Sequence, residues 1–175
     1  MTPHPDIAFN FRLGAFLIGS VISVALNEVA YANTWLDVNI TSWHSRSEYR
    51  WEQELRRFNH NNFGLGATHE LRDWLEVKAG WFENSYEKTS LYGLVALKWE
   101  VFKHPLFSVA PGVALGAVSG YRNTPERTGD VAPWGAGMLS ITYRGRWRAN
   151  IGYLPSTLFR KNTVNVALLQ LSMRL

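Results

Sequence analysis

The segment TVNVALLQLSMRL, residues Thr163–Leu175, decides the fold. Its odd-numbered positions form an apolar series: Ala167, Leu169, Leu171, Met173 and Leu175. Its even-numbered positions divide into an apolar group and a polar group, Val164, Val166 and Leu168 followed by Gln170, Ser172 and Arg174. Apolar residues with a period of two indicate a β-strand with one face in lipid. The opposite face then borders a lumen that is apolar at one end and polar at the other.

Seven more segments show a similar alternation, and most have about the ten residues that a tilted strand needs to cross a bilayer. Short turns at 72–73, 103–105 and 144–145 alternate with longer loops, which is typical of an up-and-down barrel. The sequence therefore predicts an all-β fold, an eight-stranded antiparallel transmembrane β-barrel. The seven segments are Thr34–Trp51, Phe63–Arg72, Trp74–Phe82, Leu91–Val101, Leu106–Val118, Val131–Tyr143 and Arg146–Leu154.

The predicted inward faces repeat this division of the lumen. Near the short turns they carry charges of both signs, which should pair because unpaired buried charge is costly. Near the loops they carry apolar and small residues, including Leu94, Trp134 and Met138. This half predicts an apolar cavity. The alternative is that these residues simply fill the narrow interior of an eight-stranded barrel. The turn-side charges are Glu70, Glu76, Lys78, Lys98, Glu100 and Arg148.

The first 32 residues have the layout of a secretory signal peptide. Arg12 precedes an apolar stretch over Leu13–Leu26, and Ala30-Tyr31-Ala32 is an A-x-A cleavage signal. A membrane-anchoring helix is the alternative, although the apolar run is short for a bilayer span. The predicted organisation is a cleaved signal peptide over residues 1–32 and a barrel over residues 33–175. Such a barrel is expected in the outer membrane of a Gram-negative bacterium.

The composition narrows the expected partners. The 175 residues include no cysteine and carry a formal net charge of +4, so an exported form would have no disulfides. The sequence shows no His, Cys and carboxylate spacing typical of a metal site, and no glycine-rich phosphate loop after a strand. We therefore expect no metal, no cofactor and no nucleic-acid partner. The barrel is expected to be a monomer in lipid.

Two polar groups that are distant in sequence are expected at the loop-side rim of the barrel. His44 lies in the outer part of the first strand, and Asn84-Ser85 lies where the third strand enters its loop. An imidazole beside a serine hydroxyl suggests acyl transfer, because it can take the hydroxyl proton as the oxygen attacks an ester. The alternatives are a structural histidine and an Asn-Ser turn.

The segments around these residues carry a resemblance to a known family. They are Ile40-Thr41-Ser42-Trp43-His44-Ser45-Arg46 with Tyr49, Phe58-Asn59, Gly64-Leu65-Gly66, Phe82-Glu83-Asn84-Ser85-Tyr86-Glu87-Lys88 and Gly152-Tyr153-Leu154-Pro155. In these segments the chain resembles the PagP-type lipid A palmitoyltransferases at low identity over most of residues 33–175. That family is an eight-stranded outer-membrane barrel that transfers a palmitoyl chain from a glycerophospholipid to lipid A.

The resemblance implies roles for individual residues. It makes His44, Asn84 and Ser85 catalytic, with Asn84 where the family has an acid, so that Asn84→Asp should keep or raise activity. It implies a lipid A contact at Arg122. It also implies a cavity floor at Ala96, on the inner wall below Leu94, where a methyl group would favour a chain slightly shorter than palmitate.

Two features of strand geometry bear on this assignment. Pro133 and Pro155 lie in the outer parts of neighbouring strands, where each removes a ladder donor. The family uses such a gap for lateral lipid access, and the alternative is that both prolines merely end strands. Strict alternation from Leu36 would point His44 outward, so an inward His44 requires a β-bulge near Thr41-Ser42.

The expected function is therefore that of a lipid A acyltransferase. It would move a palmitoyl or slightly shorter chain from a glycerophospholipid to lipid A, with lipopolysaccharide and outer-membrane lipid as its partners. One alternative is a lipid A deacylase or phospholipase, in which water replaces the lipid acceptor. Another is a non-catalytic eight-stranded barrel, which Asn84 in place of an acid would suit.

Overall fold

The computed structural model describes residues 33–51, 53–121, 130–156 and 164–175, and the predicted signal peptide lies outside them. In this part of the chain no helix is long and apolar enough to cross a membrane. The strands are β1 Thr34–His44, β2 Glu48–Trp51, β3 Glu54–Arg57, β4 Gly64–Arg72, β5 Leu75–Glu83, β6 Thr89–Lys98, β7 Phe102–Lys103, β8 Phe107–Ser119, β9 Val131–Tyr143, β10 Trp147–Leu154 and β11 Val166–Arg174.

The long strands close into one antiparallel barrel. Their hydrogen-bonded order is β6-β5-β4-β1-β11-β10-β9-β8, and β6 also pairs with β8. The first and last strands meet along β1 and β11. Closure gives every long strand a hydrogen-bonded neighbour on both sides, so the sheet has no open edge in the hydrocarbon. The predicted eight-stranded antiparallel barrel is confirmed.

The first predicted strand, Thr34–Trp51, is divided. β1 ends at His44, the polar stretch Ser45–Ser47 bends, and β2 pairs with β3 in a separate hairpin. The side chains of β3 are all exposed. Alternation alone did not reveal the break, because Glu48–Trp51 is itself a strand.

The outer surface of the barrel is apolar with aromatic ends. Trp81 and Tyr153 are exposed at the loop-side ends of β5 and β10, and Trp99, Tyr143 and Trp147 are exposed at the turn side. Amphipathic rings at both rims match the interfacial girdles of membrane barrels. The faces predicted to contact lipid are therefore the exposed faces.

The turn half of the lumen is filled by an ion-pair network. Glu76 Oε1 accepts hydrogen bonds from Lys98 Nζ at 2.6 Å and Arg148 Nη1 at 2.7 Å. Glu70 Oε1 accepts from the same two side chains, at 2.7 and 2.6 Å. The Arg148 guanidinium also lies 3.8 Å from the centre of the buried Trp35 ring. The predicted pairing of the turn-side charges is thus confirmed for these four ionic groups.

Candidate active site

The loop half of the barrel encloses a cavity of about 170 Å³ with a mainly apolar lining. His44 and Ser85 lie at its loop-side end, and Lys78 and Gln170 lie at its turn-side end. The division of the lumen predicted from the alternation is therefore present. The apolar wall includes Leu94, Val118, Ala132, Ala136, Leu154 and Leu168.

A β-bulge in β1 turns His44 into this cavity. Asn39 and Thr41 pair with successive residues of β11, so Ile40 is an extra residue without a partner on that strand. Odd-numbered side chains face the lumen before the bulge, and even-numbered ones face it afterwards, so Ser42 is buried and His44 points inward. The bulge required near Thr41-Ser42 lies at Ile40, one residue earlier.

The bulge brings His44 to Ser85. The Ser85 hydroxyl oxygen lies 2.8 Å from His44 Nε2, although the two residues are 41 positions apart. The hydrogen bond joins the end of β1 to the loop after β5. This distance falls within the range expected between a nucleophile and the general base that activates it.

Aromatic rings enclose the imidazole of His44. Phe58 stacks on it with ring centres 4.3 Å apart and planes inclined by 4°. His60 meets it edge-on at 5.4 Å. The Nδ1 atom of His44 is buried and has no hydrogen-bond partner among the described residues. Within that part of the chain, Ser85 and His44 form a dyad, and no third group fixes the tautomer of the imidazole.

The loop before β4 holds the end of β1 in position, a role that the sequence did not predict. The carbonyl of His60 accepts hydrogen bonds from Ser42 N at 3.0 Å and Thr41 Oγ1 at 2.7 Å. His60 Nδ1 in turn donates to the Ser42 carbonyl at 2.8 Å. The Ser42 hydroxyl also donates to Asn62. The polar run Asn59-His60-Asn61-Asn62 is the signal in the sequence for this support.

Asn84 is completely buried and holds the loop that carries Ser85. Its Oδ1 accepts from the backbone nitrogens of Tyr86 at 2.8 Å and Lys88 at 3.2 Å. Its Nδ2 donates to Ser90 Oγ and to the Gly120 carbonyl, both at 3.0 Å. These four hydrogen bonds occupy both donor hydrogens and both acceptor positions of the side-chain amide. Asn84 therefore fixes the backbone of the loop that carries Ser85, while its predicted catalytic role stays a prediction.

The cavity includes four of the predicted substrate-binding residues. Leu94, Trp134, Met138 and Pro133 all contribute to its lining. Pro155 directly follows β10 and lies outside that lining. Arg122 lies outside the described residues.

Ala96 is not part of the cavity floor, contrary to the prediction. Its side chain is fully buried and faces inward, but the lining ends one inward position nearer the loops, at Leu94. Lys78 pairs with Leu94 and Glu76 pairs with Ala96, so Ala96 lies at the level of the ion-pair network. On the neighbouring β8, Ala114 pairs with Ala96 and does line the cavity, so the lining extends one position further on that strand.

Tyr92 closes much of the lumen at the floor. Its hydroxyl oxygen lies where a Cβ at Gly66 or Gly80 would be, at 2.1 and 2.7 Å from those ideal positions. The two glycines therefore form a notch for the phenol. The Gln170 amide donates to the same hydroxyl at 3.5 Å. Glycines on the inner wall had suggested open space, but at this notch they accommodate a large ring.

Two interruptions in the outer half of the sheet lead toward the cavity. The pairing of β9 with β10 ends at Gly137, whereas the pairing of β9 with β8 continues to Val131. The pairing of β1 with β4 ends at Asn39 and Gly64. Pro133 and Trp134 lie between the start of β9 and Gly137 and line the cavity, so the first interruption borders the cavity directly.

An aromatic cluster covers the loop-side rim. Tyr86 contacts Tyr49 at 4.9 Å, Phe58 at 5.8 Å and Tyr121 at 6.1 Å between ring centres. Partial burial raises the pKa of the Tyr49 hydroxyl against the opposing charge of Arg56, so this group stays neutral. The β2–β3 hairpin therefore contributes an apolar contact to the mouth of the cavity.

Within the described ranges, no group of three His, Cys, Asp or Glu residues could hold a metal ion. Neither a known protein family nor a curated protein matches the sequence. A solved chain from "De novo design of transmembrane beta-barrels" is similar to this protein, with a TM-score of 0.52 and 10% sequence identity. The match covers 82% of this chain and 96% of the designed one. At this identity the similarity concerns the fold, which is that of a transmembrane β-barrel.

Proposed function

We propose that this protein is an outer-membrane acyltransferase that moves an acyl chain from a glycerophospholipid to lipid A. The observation that carries the proposal is the 2.8 Å contact between Ser85 Oγ and His44 Nε2 at the mouth of a mainly apolar cavity. A hydrocarbon chain would lie in the cavity with its ester at the rim. The choice of lipid A as acceptor rests on the resemblance at Trp43-His44 and Asn84-Ser85.

The proposed reaction uses only these two side chains for proton and acyl transfer. His44 Nε2 takes the Ser85 proton as Oγ attacks the ester carbonyl, and the same proton then passes to the departing lysophospholipid oxygen. The acyl chain is now an ester of Ser85. A lipid A hydroxyl attacks that ester while His44 takes its proton, and Ser85 Oγ leaves and is reprotonated. No acid or base beyond His44 is required.

A non-catalytic lipid-binding barrel is the second candidate, and one observation favours it. His44 Nδ1 is buried without an acceptor among the described residues. Donation from Ser85 to Nε2 requires the proton on Nδ1, and that tautomer leaves a buried donor unpaired at a cost of about 1–3 kcal/mol. A barrel that only binds lipid would tolerate either tautomer.

Mass spectrometry of lipid A separates these functions. Cells that express the protein should carry lipid A with one added acyl mass, and cells that express Ser85→Ala should not. The loss should be at least about a thousand-fold, because the residue would be a nucleophile. Both forms should show heat-modifiable migration on gels, since Ser85 lies in a loop. A lost acyl mass would indicate a deacylase. Unchanged lipid A would favour the non-catalytic barrel.

A further inference from the structure

The floor of the cavity contains two buried donors without a hydrogen-bond partner among the described residues. They are Lys78 Nζ and Asn39 Nδ2. Both residues contribute to the cavity lining, and Lys78 is only 4% exposed. Leaving a buried donor unpaired is costly, more so when it is charged. Two buried acceptors, Asp37 Oδ1 and Glu76 Oε2, also lack a partner, and neither is within hydrogen-bond distance of Lys78 Nζ.

Lys78 forms an ion pair with the charges below the cavity, but no hydrogen bond to them. Glu76 Oε1 already accepts from Lys98 and Arg148, and the nearest approach of Lys78 is 4.0 Å, to Glu76 Oε2. The largely buried charges of the lumen are balanced, with Lys78, Lys98 and Arg148 against Asp37, Glu70 and Glu76.

We propose that this floor binds the carboxylate of a long hydrocarbon chain, with Lys78 as counter-ion and Asn39 as a second donor. A carboxylate would accept hydrogen bonds from Lys78 Nζ and Asn39 Nδ2, while the apolar wall encloses the chain. Lys78 lies roughly 13 Å below the loop-side end of β5, given the rise and tilt of barrel strands. A chain whose other end stays at the rim must therefore be long and must enter with its carboxylate first to reach Lys78.

This ligand chemistry has two sources. One is a free fatty acid that inserts with its carboxylate toward the floor, and the other is an acyl chain that carries a carboxylate at its far end. Binding in either case requires neither the Ser85 hydroxyl nor the His44 imidazole. The proposal is therefore independent of acyl transfer, and disproof of either one does not affect the other.

Two probes of equal chain length test the proposal on the folded protein. Methyl hexadecanoate has no carboxylate, whereas monomethyl hexadecanedioate has one at the far end. Native mass spectrometry of the protein from micelles measures both affinities. We expect the carboxylate probe to bind about ten-fold more tightly or better, as a hydrogen bond to a charged group implies. Equal affinities would overturn the proposal and mean that water or an adventitious ion satisfies Lys78.

Substitutions assign the preference to Lys78. Lys78→Met should reduce the ratio of the two affinities to about one without weakening methyl hexadecanoate, because only the charged contact is removed. Lys103→Met, at an exposed position on β7, should leave the ratio unchanged. A ratio that survives in Lys78→Met would overturn the assignment. Should that variant not fold, Lys78→Arg retains the cation and should retain the preference.

A third probe, hexadecanoate, identifies the source. A Lys78-dependent affinity for hexadecanoate indicates a free fatty acid held with its carboxylate at the floor. Binding of monomethyl hexadecanedioate with no Lys78-dependent binding of hexadecanoate indicates an acyl chain that carries the distal carboxylate. Both outcomes support the floor site, and loss of the Ser85 hydroxyl should alter neither.

Discussion

Asn84 donates both hydrogen atoms of its side-chain amide, to Ser90 Oγ and to the Gly120 carbonyl, while its oxygen binds two loop nitrogens. A carboxylate at this position would accept the same loop hydrogen bonds but would place negative charge against the Gly120 carbonyl. The resemblance had suggested that an acid here would support His44. The observed hydrogen bonds assign the amide a structural task that an acid cannot perform.

We therefore expect Asn84→Asp to destabilise the barrel by about 1–3 kcal/mol and to lower acyl transfer, since a buried acceptor loses its donor. Asn61→Asp makes the same chemical change at an exposed loop position and should shift stability by less than about 0.5 kcal/mol. Urea midpoints of the two variants in lipid vesicles measure the difference. A stable Asn84→Asp protein with raised activity would restore the family role of an acid.

At the scale of single strands, β1 shows how one extra residue changes which side chains reach the site. Its first half follows the alternation of a lumen wall, and its second half follows the opposite phase because Ile40 is unpaired on β11. The same bulge frees Thr41 and Ser42 from β4, so that His60 binds them instead. A strand with regular pairing throughout would place His44 in lipid.

The notch between β4 and β5 supports a second prediction at this scale. A Cβ at Gly66 would lie 2.1 Å from the Tyr92 hydroxyl and 2.7 Å from the Ala79 carbonyl, so Gly66→Ala must displace both. We expect a loss of about 1–3 kcal/mol, typical of overpacking, and an altered cavity floor. Urea midpoints measure the loss of stability, and the length of acyl chain that fits the cavity measures the change in its floor.

Gly137→Ala is the matched control for that change. Gly137 is also a strand glycine, but the nearest atom to its added Cβ is 3.9 Å away, at the Tyr153 carbonyl. This substitution should leave both stability and chain length unchanged. If Gly66→Ala behaved in the same way, the Tyr92 ring would not lie in the notch.

At the scale of the whole molecule, period-two alternation was sufficient to predict the barrel. A lipid-facing wall and a lumen impose opposite polarity on successive residues, so each strand can be recognised from its own sequence. The position of the cavity floor could not be predicted in this way. It depends on the reach of Tyr92 across Gly66 and Gly80, and on the ion pairs that fill the lumen below Leu94.

The candidate site was predictable only in part for a related reason. His44 and Ser85 were identifiable as residue types at a rim, and the phase of β1 required the bulge. The support from His60 and the hydrogen bonds of Asn84 are contacts between loops, for which no periodic signal exists. The conformation of an irregular segment depends on its individual contacts, and the period-two alternation of polarity does not reveal those contacts.

The ion-pair network below the cavity supports a prediction about the stability of the barrel as a whole. Glu76 is completely buried and accepts from two cations, so Glu76→Gln leaves Lys98 and Arg148 sharing Glu70 alone. We expect a loss of about 3 kcal/mol, as for removal of one partner from a buried pair. Glu54→Gln removes an exposed pair with Arg56 and should cost less than about 1 kcal/mol. The midpoints of urea unfolding in lipid vesicles give both values, provided that the dependence of the free energy of unfolding on urea concentration is the same in each variant. Equal shifts would mean that water penetrates the turn half of the lumen. The barrel would then be open at both ends, and an apolar chain in the cavity would end against water instead of the floor of Lys78 and Tyr92.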